Sequence, residues 1–330
     1  MSLARRLCGL LLAGAVLLAA SAAQATEARV RALGGNALIL PEDELDVLSF
    51  PHVLKDHYSG FVLGDVTGEY GVLVRSNYLI AMGREGTSLS ELHPSAASDI
   101  GLVDENTLDL GMATPTLGLL VSLTLEDQAG TSQVLDVNAK VSTGLGDGTA
   151  LRGEFEYLSV EDGDSGILLG VLARKPVALL NGAFNLGLAS FTLANLGDAN
   201  QPRTIEAQVG LARNQEVMAG TRLIYGASVG LQSVDEGDLT IMVPTVGGVE
   251  QQVTGWLDAR AALTRYWMYI SPDQGDARMF AGETSLDFGA SLHRGNLSLD
   301  WHLANSLLED SPFSDNADLA NWATLSFNLP

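Results

Sequence analysis

The sequence predicts a large all-β domain built from antiparallel strands, and two observations support this. Apolar and polar residues alternate with a period of two over many segments between Tyr58 and Pro330, as expected when successive side chains point to opposite faces of a strand. Residues that favour tight turns separate these segments. The pattern predicts about 14 strands, within a range of roughly 12 to 16.

The two runs at the end of the chain show the alternation clearly. Their apolar faces are formed by Leu297, Leu299, Trp301 and Leu303 and by Ala323, Leu325, Phe327 and Leu329. Their polar faces are formed by Ser298, Asp300 and His302 and by Trp322, Thr324, Ser326 and Asn328. Strands with two such faces need an apolar environment on one side and a polar one on the other.

The same alternation recurs upstream and orders the rest of the domain. It covers residues 117–126, 135–142, 204–211, 222–232, 257–264 and 286–293. Turns are predicted at Asp147-Gly148, Asp162-Gly163, Asn181-Gly182, Gly247-Gly248 and Arg294-Gly295-Asn296. Apolar residues change parity within Phe184–Leu193, which predicts a β-bulge there.

The first residues predict an export signal. Arg5 and Arg6 precede an apolar stretch from Leu7 to Ala20, and Ala23-Gln24-Ala25 has the small-x-small form of a cleavage site. Cys8, the only cysteine, lies within this leader, so the remaining chain offers no disulfide and no thiol. We therefore divide the chain into a leader at 1–25, an N-terminal segment at 26–56 and a β-domain at 57–330, with the segment expected in the lumen or at its periplasmic mouth.

Composition narrows the classes of partner. The formal net charge is -22, which disfavours binding to nucleic acid or to anionic lipid headgroups. After the leader, no apolar stretch reaches the ~18–20 residues of a membrane-spanning helix. A membrane protein with this sequence must therefore cross as a closed barrel.

Three features favour a transmembrane barrel over a soluble secreted β-sandwich or solenoid. They are the export signal without further cysteines, the alternating final strand, and charged residues on the polar faces of strands, as expected around a water-filled lumen. The candidate lumen-lining residues are Asp136, Lys140, Arg152, Glu154, Glu156, Glu206, Arg222, Asp258 and Arg260. Aromatic residues near strand ends are expected at the membrane interfaces; they are Tyr157, Trp256, Tyr266, Trp267 and Tyr269.

On these residues the chain resembles Gram-negative outer-membrane β-barrel proteins of the porin-like type. The final run from Trp322 to Leu329 looks like the C-terminal strand recognised during barrel assembly, although it ends in Leu329-Pro330 rather than in an aromatic residue. The segment Ala32–Ala37, followed by Asp46 and Phe50-Pro51, is similar to the N-terminal segment of long-chain fatty-acid transporter-like barrels. The resemblance implies an outer-membrane location and, for that segment, a place inside the barrel.

Motifs for catalysis are weak. Gly226-Ala227-Ser228-Val229-Gly230 matches G-x-S-x-G, but it lies inside an alternating strand rather than at a strand–turn–helix junction. Ser298, Asp300 and His302 share one strand face and are spread too widely for a triad. Neither a zinc spacing nor a nucleotide-binding fingerprint occurs. We therefore expect no enzyme activity, no metal and no cofactor.

The function expected from these observations is passive passage of a small or hydrophobic solute through an outer-membrane barrel, with membrane lipid as the surrounding partner. One alternative is a structural or surface-binding barrel whose lumen is plugged. The other is the soluble secreted β-protein. The sequence leaves the solute, the pore size and the oligomeric state open.

Overall fold

A computed structural model describes residues 27–33, 46–57, 59–65, 70–84, 107–127, 133–160, 165–196, 203–234, 239–271, 278–303 and 322–329. The predicted leader at 1–25 and the predicted Asp162-Gly163 turn lie outside these residues. Within them, no helix is both long enough and apolar enough to cross a membrane.

Sixteen antiparallel strands form one closed barrel. In chain order, β1 to β16 are Phe61–Asp65, Gly71–Arg75, Tyr78–Arg84, Thr107–Ala113, Leu117–Asp127, Gln133–Gly144, Ala150–Val160, Ser165–Leu179, Phe184–Leu196, Thr204–Met218, Thr221–Val234, Leu239–Thr254, Leu257–Ser271, Arg278–Arg294, Leu297–Leu303 and Trp322–Asn328. The number is the upper limit of the predicted range.

The first and last strands close the ring. β1 pairs with β16 from Phe61↔Asn328 to Asp65↔Thr324, and each other strand pairs with its neighbours in sequence. The alternative of two stacked sheets is therefore wrong. Leu299 and Leu325 are opposite each other on adjacent strands of one wall, rather than facing each other between two sheets.

The barrel has two different ends. At one end, which we call the turn end, short connections join each even-numbered strand from β2 to β14 to the strand that follows it. The backbone N–H of Leu329 donates to the carbonyl oxygen of Gly60 at the same end, at 3.0 Å. The turns at Gly148, Gly182 and Gly295 were predicted, and each of these glycines has a positive φ that other residues rarely adopt. We call the opposite end the loop end; most of the residues that connect strands there lie outside the described ranges.

The predicted faces of the strands are confirmed. On β5, Leu117 and Leu119 are exposed whereas Gly118 and Leu120 are buried. On β10, Ile205 and Val209 are exposed whereas Glu206 is buried. The outer surface of the barrel is thus apolar, and polar side chains point to the interior.

Three predictions about local structure are wrong. Gly247-Gly248 is not a turn; both residues lie within β12, and Gly248 pairs with Ile224 and Ala262 on the neighbouring strands. No bulge lies where the apolar residues change parity, because residues 186–193 keep a continuous register with both β8 and β10; the irregularities with β8 fall at either end of this stretch, between Leu186 and Phe184 and between Leu193 and Leu196. Tyr266 is not at the outer surface, since its hydroxyl contacts the sulfur of buried Met242 at 3.1 Å.

The apparent break of parity in β9 has a physical cause inside the barrel. Leu186 is buried and belongs to the interior apolar cluster, and Leu188 packs against the same cluster. The register places these leucines on the inner face, and they are accommodated there because they share the cluster with apolar side chains of the N-terminal residues. An inward-facing apolar residue breaks the alternation of hydrophobicity without any change in backbone register.

The described N-terminal residues form three short helices inside the ring. These are α1 (Glu27–Ala32), α2 (Asp46–Ser49) and a 3-10 helix (Pro51–His57). We call residues 27–33 and 46–57 the inner segment. Val47, Leu48 and Leu54 are buried against inward-facing residues such as Val74 and Leu79, so the inner segment shares one apolar core with the wall.

Candidate functional site

The candidate site is the lumen, and the nine predicted lining residues all lie on inward-facing positions of the strands. Six are buried: Asp136, Lys140, Arg152, Glu156, Glu206 and Arg260. Three are partly buried: Glu154, Arg222 and Asp258. Burial of so much charge requires partners, and the partners show how the lumen is organised.

Two acidic side chains of β7, Glu154 and Glu156, share one amide of β6 near the middle of these strands. The amide nitrogen of Asn138 donates to Glu154 at 2.8 Å and to Glu156 at 3.0 Å. Arg152 forms an ion pair with Glu154 at 3.1 Å. Among the described residues, no group of three or more histidines, cysteines or acids is arranged to hold a metal ion.

Asp46 of the inner segment is held by Arg174 of β8. Nη1 and Nη2 of the arginine donate to the two carboxylate oxygens of Asp46, each at 2.6 Å. Both side chains are buried. A two-point arginine–carboxylate pair is strong and directional, so it fixes the start of α2 against the wall.

The end of α2 is held by two more cations. Lys140 Nζ lies 3.5 Å from the carbonyl oxygen of Leu48, and Arg152 Nη1 donates to the carbonyl oxygen of Ser49 at 3.3 Å. The last carbonyls of a helix lack partners within the helix. These two predicted lumen residues therefore contact the inner segment as well as lining the wall.

His52 docks on β5 and β6 with almost no free space. Its backbone N–H donates to Ser142 Oγ, and its Nδ1 lies 2.9 Å from the same hydroxyl. A Cβ built on Gly118 would lie only 2.0 Å from the His52 nitrogen. Burial, together with the positive charges of Lys55 and Arg174, lowers the pKa of His52 from 6.5 to about 4, so the imidazole is neutral at neutral pH.

The other helix, α1, is anchored on the opposite side of the lumen. Arg29 donates to both oxygens of Glu250 at 2.7 Å. Arg260 also donates to Glu250, at 2.6 Å, and reaches Asp300 at 2.9 Å. Charges of alternating sign thus run from α1 across β12 and β13 to β15.

Gly289 makes room for α1. A Cβ at this inward position on β14 would lie 2.4 Å from the Cβ of Ala32, so only glycine allows the observed approach. Gly118 therefore leaves space for the 3-10 helix, and Gly289 leaves space for α1.

A serine, a histidine and an acid do meet on β13 to β15. Ser298 Oγ lies 3.1 Å from His293 Nδ1, and His293 Nε2 lies 2.7 Å from Asp258 Oδ2. The carboxylate of Asp300 is 3.3 Å from the same Ser298 hydroxyl, and Ser298 is 1% exposed. A negative charge developing on a substrate oxygen there would be repelled by Asp300, whereas a hydrolase needs hydrogen-bond donors at that position.

The motif at Ser228 has no catalytic surroundings. Ser228 lies within β11, and its hydroxyl accepts a hydrogen bond from Gln208 on β10. The strand–turn–helix context that the motif requires is absent at this position.

Sequence reasoning missed most of the anchoring pairs. Arg29, Arg174 and Glu250 were not singled out, and Asp46 and Asp300 were noted only for their positions in a segment or strand. Arg174 and Glu250 each sit at a charged position on the inner face of a strand, which is a usable signal for lumen placement. The identity of their partners depends on contacts between residues more than 100 positions apart, for which the sequence contains no signal.

Comparison with known proteins shows the fold. No protein-family model matches the chain, and no curated protein matches it in sequence. A solved bacterial polysaccharide outer membrane secretin is similar with a TM-score of 0.51 and 8% identity, over 83% of this chain and 99% of that one. A loop-L8 deletion mutant of OmpT, an outer membrane protein of Vibrio cholerae, is similar with a TM-score of 0.44 and 11% identity, over 68% of this chain and 78% of that one.

The class of protein follows from the ring of strands and the secretin comparison. The chain is a closed antiparallel β-barrel with structural neighbours among outer membrane proteins, as its sequence resemblance indicated. At these identities the likeness concerns architecture alone.

Proposed function

We propose that the protein is an outer-membrane channel of a Gram-negative bacterium, exported by the leader at 1–25, through which small solutes pass passively. The observation that carries this proposal is that one closed wall has an apolar outer side and a charged, polar inner side. Exposed side chains such as Val209 and Leu263 cover the outside, and charged side chains such as Glu206 and Arg260 lie inside. Barrels of about 16 strands are wide enough to enclose an aqueous path.

The turn end would face the periplasm, because bacterial barrels have short periplasmic turns and longer outer loops. The inner segment then occupies the periplasmic half of the lumen, where Asp46, Leu48 and His52 contact the wall. We propose that it controls passage by leaving or retaining this position.

The test is ion conduction by the purified protein in planar lipid bilayers. We expect stepwise currents whose size increases when the inner segment is loosened by Asp46→Ala. The matched control is Asp147→Ala, which removes a carboxylate that is exposed on a turn. Passage through the lumen would be contradicted if the folded wild type, Asp46→Ala and Asp147→Ala proteins all gave no current.

A plugged barrel with a structural or surface-binding role is the second candidate. The buried pairs Arg174–Asp46 and Arg29–Glu250 favour it, because they hold the inner segment at two separate places. The same recordings separate the two candidates, since a permanently plugged barrel stays silent after Asp46→Ala.

We propose no enzymatic activity and no cofactor for this lumen. The argument rests on Asp300, whose carboxylate lies beside the Ser298 hydroxyl and opposes formation of an oxyanion. Covalent labelling by a fluorophosphonate that is lost in Ser298→Ala and retained in Ser326→Ala would overturn this part of the proposal.

A further inference from the structure

Arg174 and the wall around it form a pocket that is filled by two side chains of the inner segment. We propose that this pocket is a binding site for a small aromatic carboxylate, a solute whose two recognition groups are mimicked by Asp46 and Phe50. The inference rests on the proposed passage of solutes through the lumen and names a class of solute for it.

The first recognition group is a carboxylate. Arg174 donates from Nη1 and Nη2 to the two oxygens of Asp46 at 2.6 Å, with both side chains withdrawn from water. This fork geometry matches a planar carboxylate, whereas a lysine ammonium would accept anions of many shapes. The pocket is therefore built for a group with two coplanar oxygens.

The second recognition group is an aromatic ring. Phe50 lies one helical turn after Asp46 and is fully buried, in a cluster with Ala150 and Leu172 against which Leu188 packs. The guanidinium carbon of Arg174 lies 4.3 Å from the centre of the ring. Arginine over a ring is a favourable contact, so one side chain recognises both the carboxylate and the ring.

The receiving surface belongs to the wall. Arg174 and Leu172 lie on β8, Ala150 lies on β7 and Leu188 lies on β9, and the pairing of these strands is regular around the pocket, from Ala150↔Arg174 on one side and from Leu169↔Leu193 to Pro176↔Leu186 on the other. The surface therefore persists when the inner segment moves away. Its departure would leave the Arg174 guanidinium without the carboxylate, which is costly in a partly desolvated place.

When the inner segment moves away, a solute can replace the Asp46 carboxylate and the Phe50 ring. A carboxylate joined to a ring by a short linker offers the same two groups in one molecule. A ligand that binds only when the inner segment has moved shifts the equilibrium toward the displaced state. Such a solute would thereby favour its own entry into the lumen.

The experiment measures binding of hydrocinnamate to the full-length exported chain in detergent by titration calorimetry. The variant Asp46→Ala/Phe50→Ala removes both mimicking groups and leaves the wall intact. We expect it to bind hydrocinnamate at least about tenfold more tightly than the wild type, because the competing segment is weakened. The neutral analogue hydrocinnamamide should bind at least about tenfold more weakly than the acid, since it lacks the charge that Arg174 pairs with.

A further variant locates the site. Adding Arg174→Gln to the double variant should abolish the preference for the acid over the amide. Equal binding of acid and amide by the double variant, or an unchanged preference after Arg174→Gln, would overturn the proposal. Folding is checked by migration in SDS gels before and after boiling, and Asp46→Asn, which preserves side-chain size, is measured in the same way if the double variant does not fold.

The binding measurement is independent of conduction. Binding by a barrel that carries no current would leave the site in place and contradict passage. Currents without binding would support passage through the lumen and contradict only the proposed site for an aromatic carboxylate.

Discussion

The guanidinium of Arg29 donates two hydrogen bonds of 2.7 Å to the carboxylate of Glu250, although 221 positions separate the two residues. This pair joins α1 to β12 across the interior of the barrel. It is the clearest contact that ties the N-terminal helix to the wall, and it leads to the first prediction.

Arg29→Ala should loosen α1 while the barrel stays folded. Glu250 keeps its ion pair with Arg260, so the expected loss is about 1–3 kcal/mol of docking free energy rather than the larger cost of an unpaired buried carboxylate. The measurement is the rate of protease cleavage within residues 27–33, which should increase. Arg294→Ala is the control, because Arg294 is exposed near a turn and its removal should leave the rate unchanged.

Gly118→Val should displace the 3-10 helix. Even the first carbon of the new side chain would meet the backbone of Pro51 and His52 at 2.0–2.1 Å, and backbone cannot move aside as a flexible side chain does. We expect larger currents in bilayers with unchanged heat-dependent gel migration. Gly153→Val places the same side chain where a Cβ would meet nothing within 4 Å, so currents as large in this variant would refute the steric explanation.

Docking of the inner segment should weaken on acidification. Because the pKa of His52 falls from 6.5 to about 4 on docking, the docked state binds fewer protons than the released state. The contribution is fully present above pH 6.5 and is lost as the pH falls from 6.5 towards 4, by at most about 1.4 kcal/mol per pH unit. Protease access to residues 51–57 should rise over this range.

The control for this pH dependence is His52→Gln, which has no titrating group at position 52. Its access profile should be less steep than that of the wild type between pH 6.5 and 4.5, and the remaining slope is expected from His57, whose pKa is also lowered by burial. Identical pH profiles for the variant and the wild type would show that another group is responsible.

Asp300→Ala should destabilise the barrel itself. Asp300 is 1% exposed and forms an ion pair with Arg260 at 2.9 Å, so its removal leaves a buried guanidinium with less compensation. Arg260 keeps its ion pair with Glu250, so the expected loss is about 1–3 kcal/mol rather than the larger cost of a wholly unpaired buried charge. The measurement is the temperature at which the folded gel band disappears. Asp147→Ala, at an exposed turn, should leave that temperature nearly unchanged.

Most of the wall could be predicted from the sequence because its signal is local. The runs 117–125 and 223–231 carry an apolar residue at every second position from Leu117 and from Leu223, and a period of two assigns their faces directly. On β2 and β3, by contrast, Val74 and Leu79 are buried inside while Leu73 and Ile80 are exposed outside. Both faces are apolar there, so no alternation marks these strands and the predicted number of strands was lower than the observed one.

The organisation of the lumen could be predicted only in part. Charge on a strand face indicated that Lys140, Arg152 and Arg260 point inward. Lys140 and Arg152 also contact carbonyl oxygens of the inner segment. These contacts depend on where α2 docks, which is set by distant residues such as Arg174. Gly118 falls within the alternating run 117–126, and only the approach of His52 explains why it must be glycine.

The central claim is that one side of this wall faces lipid and the other faces water, and adjacent residues on β10 test it most directly. Val209 is 63% exposed on the outer face, and Gln208 points inward. With Cys8 replaced, a single cysteine at either position can be probed in proteoliposomes. The account predicts that Val209→Cys reacts with a lipid-soluble maleimide and resists a charged, water-soluble thiol reagent, whereas Gln208→Cys reacts with the water-soluble one. Ready reaction of Val209→Cys with the charged reagent would contradict it.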